Sequence, residues 1–410
     1  MNRNILFDHS FGMHSSFWEV VNYPPEGYQF QLPNSLWDRF FDKFIARNHY
    51  ITGNLALAKL VNKLVPPRLI KALLDTLFKK DPKNQPLDLV FSMDHPVMSD
   101  IPWVIFITWP TALLGINVDH LNTYKRTIEN QLASDGCKGI VTWSELSKNA
   151  ILESFDGRSF EHKLKVVPLA MHKQTFTKVF NDDVLKIFFL GSANTPQNRL
   201  SGLLGDRWAF EFDTKGGREL LQAFRILTER YPNLELVMRT GVPGDLLEEF
   251  GKYPNIKFIN RLVPRAVLEE EFRTADMFVY PTHMLTPWTA FLEAMSYELP
   301  IITTDLYTNP EFVQHGITGL LVKPSQTVPY YWKGLKLPMG TPLHHQYLQA
   351  VKTPDPTMVD DLVEKVSMLV ENTDQRRRMG RQARWEIEEG KHSIQQRNKA
   401  FKSLFDHAVS

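Results

Sequence analysis

Short apolar runs alternate with longer stretches of helical period along almost the whole chain. Runs at 5–7, 87–92, 103–108, 139–142 and 164–168 predict a first series of strands. A second series is predicted at 185–190, 234–238, 256–259, 277–280, 300–303 and 319–322. The runs are apolar on both faces, as parallel strands covered on two sides are. Between them, segments such as 217–230 and 267–274 repeat with a helical period. Strand–helix–strand repetition predicts an α/β protein with two doubly wound, Rossmann-like parallel sheets.

The polar, aperiodic stretch from Met171 to Asp183 separates the two series. It predicts a linker at 171–184 between domains at 1–170 and 185–390. Charged helical patterns follow over 360–372 and 375–409, and the last piece, 391–410, is expected to return to the N-terminal domain. Three stretches interrupt the alternation. Residues 36–80 read as helical, divided by Pro66-Pro67, and 193–213 read as an inserted loop. Residues 324–357 carry six prolines and the cluster Tyr330-Tyr-Trp332 and read as a long irregular excursion. Ligands of doubly wound sheets lie at the carboxyl ends of the strands. Two such domains are therefore expected to face each other across a cleft that holds two substrates.

Charge and cysteine content narrow the function classes. The chain has 47 Lys and Arg against 46 Asp and Glu, a net charge of +1. No bulk field gathers nucleic acid, which is not an expected partner. Residues 55–80 set Lys59, Lys63, Arg68, Lys71, Lys79 and Lys80 among Leu, Ile and Val. That pattern suits a peripheral membrane contact, and equally a solvated helix face. Cys137 is the single cysteine, so an internal disulfide and a cysteine-rich zinc site are excluded. Residues 1–8 read as a first strand rather than a signal peptide. No apolar run nears the ~18 residues that span a bilayer. The expected location is cytoplasmic, peripheral to the inner face of a membrane if 55–80 makes that contact.

Several familiar motifs are absent. There is no Gly-x-Gly-x-x-Gly, P-loop, His-Glu-x-x-His or Gly-x-Ser-x-Gly. Dinucleotide, NTP, zinc-protease and α/β-hydrolase chemistry are disfavoured accordingly. No Asp-x-Asp follows an apolar strand, so neither a metal nor a cofactor is expected. Glu211-Phe-Asp213 reads as loop acid, and His344-His345 lacks further ligands nearby.

Residues 276–323 carry the chemistry. A strand ends at Tyr280-Pro281, and a helix is expected to begin near Thr286-Pro287, threonine capping and proline in the first turn. Its free N–H groups would face the carboxyl edge of the sheet, a ready site for a diphosphate. Glu293 lies about two turns in, among apolar neighbours. A carboxylate buried there needs a partner, and paired ribose hydroxyls would serve.

The run Phe291-Leu-Glu-Ala-Met295, then Leu299-Pro-Ile-Ile-Thr-Thr-Asp305, Thr308-Asn-Pro-Glu311 and Gly319-Leu-Leu-Val322 resembles the family-4 retaining glycosyltransferases of GT-B architecture. Asp213-Thr-Lys-Gly216 with its helix, Asn255-Ile-Lys-Phe-Ile-Asn-Arg-Leu262, Phe272-Arg-Thr-Ala-Asp276 and Gly139-Ile-Val-Thr-Trp-Ser144 add to the likeness. It covers about 136–323. The resemblance implies an N-terminal acceptor-side domain and a C-terminal nucleotide-sugar-binding domain. It implies that Lys215 meets the donor phosphates, Glu293 the ribose, the amides of Thr289 and Ala290 the diphosphate, and Arg261 and Leu262 the nucleobase. Thr308 to Glu311, including Asn309, falls on the turn beside the donor. Gly12, in Phe11-Gly-Met-His14 after the first strand, falls where the family touches phosphates.

Three positions depart from the family. Leu285 stands where the first acid of Glu-x7-Glu belongs. Ser192 follows Gly191 where an arginine usually does, leaving Arg199 and Arg207 as substitutes. Trp109 replaces a histidine and is a candidate acceptor platform. His95, in Asp94-His95 after a strand, is a further catalytic candidate. Each residue also has a plainer reading. Lys215 starts a helix, Arg199, Arg207 and Arg261 are surface charges, His95 is structural and Trp109 packs the core.

The expected activity is a metal-independent hexosyltransferase that retains configuration, moving a hexose from a nucleoside diphosphate sugar to a glycan or lipid acceptor. The alternative is a non-catalytic nucleotide-sugar-binding or partner subunit. A sugar epimerase would need a charged catalytic cluster that the sequence lacks.

Overall fold

The computed structural model describes residues 2–9, 15–32, 86–97, 99–114, 119–178, 180, 183–191, 207–284, 288–330 and 342–410. Among these, one compact unit comprises the residues up to Ala170 together with 394–410, and the other comprises 171–330 and 342–393.

The first unit contains β1 (Arg3–His9), α1 (Ser15–Asn22), β2 (Tyr28–Gln31), β3 (Leu89–Met93), β4 (Trp103–Phe106), α2 (Asp119–Ala133), β5 (Cys137–Thr142), α3 (Glu145–Ser154) and β6 (Leu164–Val166). The second contains β7 (Leu185–Leu190), α4 (Arg207–Thr214), α5 (Gly217–Arg230), β8 (Leu234–Arg239), α6 (Gly244–Phe250), β9 (Ile256–Phe258), α7 (Arg265–Thr274) and β10 (Met277–Tyr280). It continues with α8 (Trp288–Ser296), β11 (Ile301–Thr304), α9 (Asn309–Phe312), β12 (Gly319–Val322), α10 (Pro342–Ala350), α11 (Pro356–Glu371) and α12 (Thr373–Glu388). The last helix, α13 (Ile394–Ala408), returns to the first unit.

Each unit has a six-stranded, all-parallel sheet. The first runs β2-β1-β3-β4-β5-β6 and the second β12-β11-β10-β7-β8-β9. Strand order reverses between β1 and β3 in the first sheet and between β7 and β10 in the second. Doubly wound sheets bind their ligands at such switch points. The central strands β4, β10 and β11 are buried along their whole length, which is why they read as continuous apolar runs.

Three predictions are corrected. Tyr28–Gln31 is a strand the apolar runs do not reveal. Its sequence, Tyr-Gln-Phe-Gln, alternates because it lies at the sheet edge, with Tyr28 buried and Gln29 exposed. Residues 207–214 form helix α4 rather than loop. Within 324–357, α10 and the start of α11 replace an irregular excursion. Pro356 sits in the first turn of α11, where its missing N–H costs no intrahelical bond.

Among the described residues, no helix is long and apolar enough to cross a membrane.

Candidate functional site

The switch point of the second sheet is held by the turn after α4. Gly216 has φ +76°, and a side chain there would put its Cβ 1.9 Å from the Pro281 carbonyl oxygen. Only glycine allows that backbone and that approach. The turn is stapled to the segment after β10: the His283 N–H donates to the Thr214 carbonyl at 2.8 Å, and Thr282 Oγ1 donates to it at 3.2 Å. Lys215 therefore stands beside the end of β10. Its side chain is 14% exposed, and Nζ lies 3.2 Å from Glu211 Oε2 one turn back in α4.

Helix α8 follows β10. Ala290 is buried, Thr289 half-buried and Glu293 buried. Glu293 does have a partner, but one in the protein: Arg265, at the start of α7, donates Nη1 to Glu293 Oε1 and Nε to Glu269 Oε1. Burial works against the Arg265 charge, but Glu293 and Glu269 outweigh it and raise its pKa. Just before α7, Arg261 and Leu262 are exposed, Leu262 by 66%. A leucine this bare is open to stack on a flat ring.

The turn after β11 is internally committed. Asn309 is fully buried, and its amide donates to the carbonyl and Oγ1 of Thr304, each at 3.1 Å. Its side chain thus holds the turn. The Glu311 carbonyl accepts a hydrogen bond from Lys391 Nζ.

The first sheet's switch point holds Asp8 and His95. His95 is 1% exposed, with Nε2 3.1 Å from Asp8 Oδ2 and Nδ1 2.8 Å from the Met93 carbonyl. Asp94 holds this corner in a left-handed conformation, φ 58°, and accepts the Thr108 N–H at 2.6 Å. His95 is accordingly enclosed rather than open. Trp109 is 5% exposed and packs edge-on against Trp143, centroids 5.4 Å apart. It fills the core and presents no platform for an acceptor.

Gly12, Arg199, Leu285 and the segment 55–80 lie outside the described residues, as does the side chain of Arg207, which opens α4. Among the described residues, no group of three or more His, Cys, Asp or Glu is arranged to hold a metal ion.

A family model described as "Glycosyl transferases group 1" matches residues 207–332. Residues 207–332 are thus similar to the group 1 glycosyltransferases. The chain is also similar to the capsular polysaccharide biosynthesis glycosyltransferase CapM of Staphylococcus aureus, 26% identical over 115 residues. That match spans 27% of this chain and 30% of the relative. A glycosyltransferase from Rickettsia africae superposes with a TM-score of 0.59 at 12% identity, covering 100% of both chains. HepE of Anabaena, solved with UDP and glucose, gives 0.57 at 11% identity, over 99% of this chain and 100% of its own. At these identities the likeness shows the fold, which is of GT-B type.

Within the matched segment, sequence reading overlooks a buried polar cluster. His283, after β10, is fully buried between Glu219 of α5 and Tyr330, with Nε2 2.9 Å from Glu219 Oε1 and Nδ1 3.0 Å from the Tyr330 hydroxyl. Tyr347 of α10 donates to the His283 carbonyl at 3.2 Å. Asp213, read as loop acid, is a buried helical residue 2.6 Å from Arg218 Nε. Burial, only partly offset by Arg218, pushes its carboxyl up to about 6. The available signal was an acid, Glu219, inside an amphipathic helix whose neighbours Leu220 and Leu221 face the core.

Proposed function

We propose that the protein transfers a hexose from a nucleoside diphosphate sugar to an acceptor hydroxyl with retention, and without a metal. The reading rests above all on the Lys215-Gly216 turn clamped against Pro281 at the switch point of a group 1 sheet. A cation there, beside helix α8, suits a diphosphate. Glu293 suits the ribose, and the Arg265 bond orients its carboxylate for that task. The exposed Leu262 suits the base. The diphosphate of HepE's ligand, UDP, makes UDP-hexoses the first donors to test. CapM's place in capsular polysaccharide biosynthesis suggests a polysaccharide acceptor.

In the proposed reaction the bond from the anomeric carbon to the β-phosphate oxygen breaks. The acceptor oxygen bonds to the same face of that carbon, and its proton passes to the leaving phosphate. The protein's task is to stabilise charge on the departing diphosphate, through Lys215 and the amides near Thr289. Cationic side chains can do this without a metal.

A thermal-shift screen with UDP-, GDP- and ADP-sugars tests donor binding, since a bound ligand raises apparent stability. A transfer assay with polysaccharide acceptors follows. Lys215→Ala is expected to stay folded and lose about 10²–10³-fold in turnover; unchanged turnover would remove Lys215 from the mechanism. Leu285 in place of an acid favours a second reading, a non-catalytic nucleotide-sugar-binding subunit. Donor binding with neither transfer nor hydrolysis would select it.

A further inference from the structure

Arg239 ends β8, opposite Leu190 at the end of β7. Its carbonyl accepts the Gly191 N–H at 2.8 Å, and its Nη1 donates back to the Gly191 carbonyl at 2.9 Å. A Cβ at position 191 would lie 2.2 Å from Thr240 Oγ1. Glycine there lets the end of β7 lie against Arg239 and Thr240. The Nε–H of Arg239 is buried and meets no acceptor among the described residues. Burial pushes the Arg239 pKa down, and the Glu293 carboxylate opposes that shift. That carboxylate is already hydrogen-bonded to Arg265.

Arg239 is thus a partly desolvated cation at the carboxyl end of the sheet, with hydrogen-bonding capacity unused. Removing a charge from water without a full partner is costly. An anion arriving at the strand ends would relieve that cost. A guanidinium presents five donors in a fixed fork that matches phosphate oxygens.

We propose that Arg239 is a second cation of the donor site, contacting the diphosphate from the β8 side and sharing with Lys215 the charge on the leaving group. The proposal rests on the donor reading above. It also supplies, from the neighbouring strand, a guanidinium that Ser192 does not provide after Gly191.

Isothermal titration of the full chain with UDP, GDP, ADP and inorganic pyrophosphate tests it, with the matching nucleosides as uncharged controls. Arg239→Gln is expected to weaken pyrophosphate and the cognate diphosphate about 10- to 100-fold, the scale of hydrogen bonds to charged groups. Nucleoside affinity should not change. Arg239→Lys keeps the charge without the fork and is expected to lose less. A folded Arg239→Gln variant that binds pyrophosphate as the wild type does overturns the proposal and leaves the donor reading standing. If Arg239→Gln fails to fold, wild-type pyrophosphate affinity in Arg239→Lys overturns it. A wild-type chain that binds none of the nucleotides and no pyrophosphate overturns both readings.

Discussion

His283 takes both ring nitrogens into hydrogen bonds inside the core, one facing Glu219 and the other Tyr330. Both partners of the Glu219 pair are fully shielded, their side chains 0% and 1% exposed. Glu219 Oε2 has no hydrogen-bond partner among the described residues, so the carboxylate depends heavily on His283. Removing one member of such a pair leaves a buried charge uncompensated, at about 3–5 kcal/mol. His283→Ala is therefore expected to lose about that much in urea unfolding. Adding Glu219→Leu should restore part of it, because the stranded carboxylate is then gone. Unfolding of His283→Ala at the wild-type urea midpoint would show that the pair does not hold this corner. The cluster also ties the Lys215 turn to the loop before α8, since the His283 N–H bonds Thr214. Loss of the imidazole should reach the donor site through that staple.

Asp355 shows the same dependence at the level of an element. It caps α11, accepting the Thr357 N–H at 2.9 Å and hydroxyl at 2.7 Å, the Gln326 N–H at 2.6 Å and Ser325 Oγ at 3.0 Å. Burial opposes its ionisation, but these hydrogen bonds outweigh it and hold the carboxyl at about 2, below its ordinary 3.8. The folded value is depressed, so the stabilisation is fully present above pH 3.8 and is lost as pH falls towards 2. Asp355→Asn should narrow its stability gap to the wild type over that window, by about 2 kcal/mol. A gap that stays constant from pH 5 to pH 2 would remove Asp355 from the acid response. The cap also shows where sequence reading falls short. Strands β7, β10 and β12 are legible to the residue, because a strand buried on both faces writes its limits as an apolar run. The edge strand β2 is not, because one covered face leaves only alternation over four residues. Pro356 reads as a breaker until Asp355 is seen capping the helix it begins. At the site, the Lys215-Gly216 turn and Glu293 are legible because their signals are local. Arg265 and Arg239 are not: each bonds a partner distant in sequence, 28 residues away for Arg265 and Glu293 and 48 for Arg239 and Gly191.

Across the whole molecule, the chain finishes the first unit only with its last helix. Phe401 and Phe405 of α13 pack edge-on against Phe91, at 5.5 and 5.6 Å between centroids, and Phe405 meets Phe30 and Tyr28 at 6.3 and 5.4 Å. Tyr28 closes the patch by donating to Asp406 at 2.6 Å. Arg397 reaches the Tyr23 carbonyl at 2.6 Å. Strands β2 and β3 thus meet residues more than three hundred positions further along the chain, up to 378 for Tyr28 and Asp406, a contact no local pattern announces. Phe405→Ala should cost about 3–5 kcal/mol, the range for emptying a buried aromatic site. That is a large share of the roughly 5–15 kcal/mol that a domain has. With two units, one unfolding free energy does not describe the chain, so the loss must be located as well as measured. Hydrogen exchange read by mass spectrometry does this. Peptides from β1 and β3 should lose protection in Phe405→Ala, while peptides from β7 and β10 keep theirs. Equal loss in both groups would mean that α13 stabilises the chain by some route other than covering the first sheet.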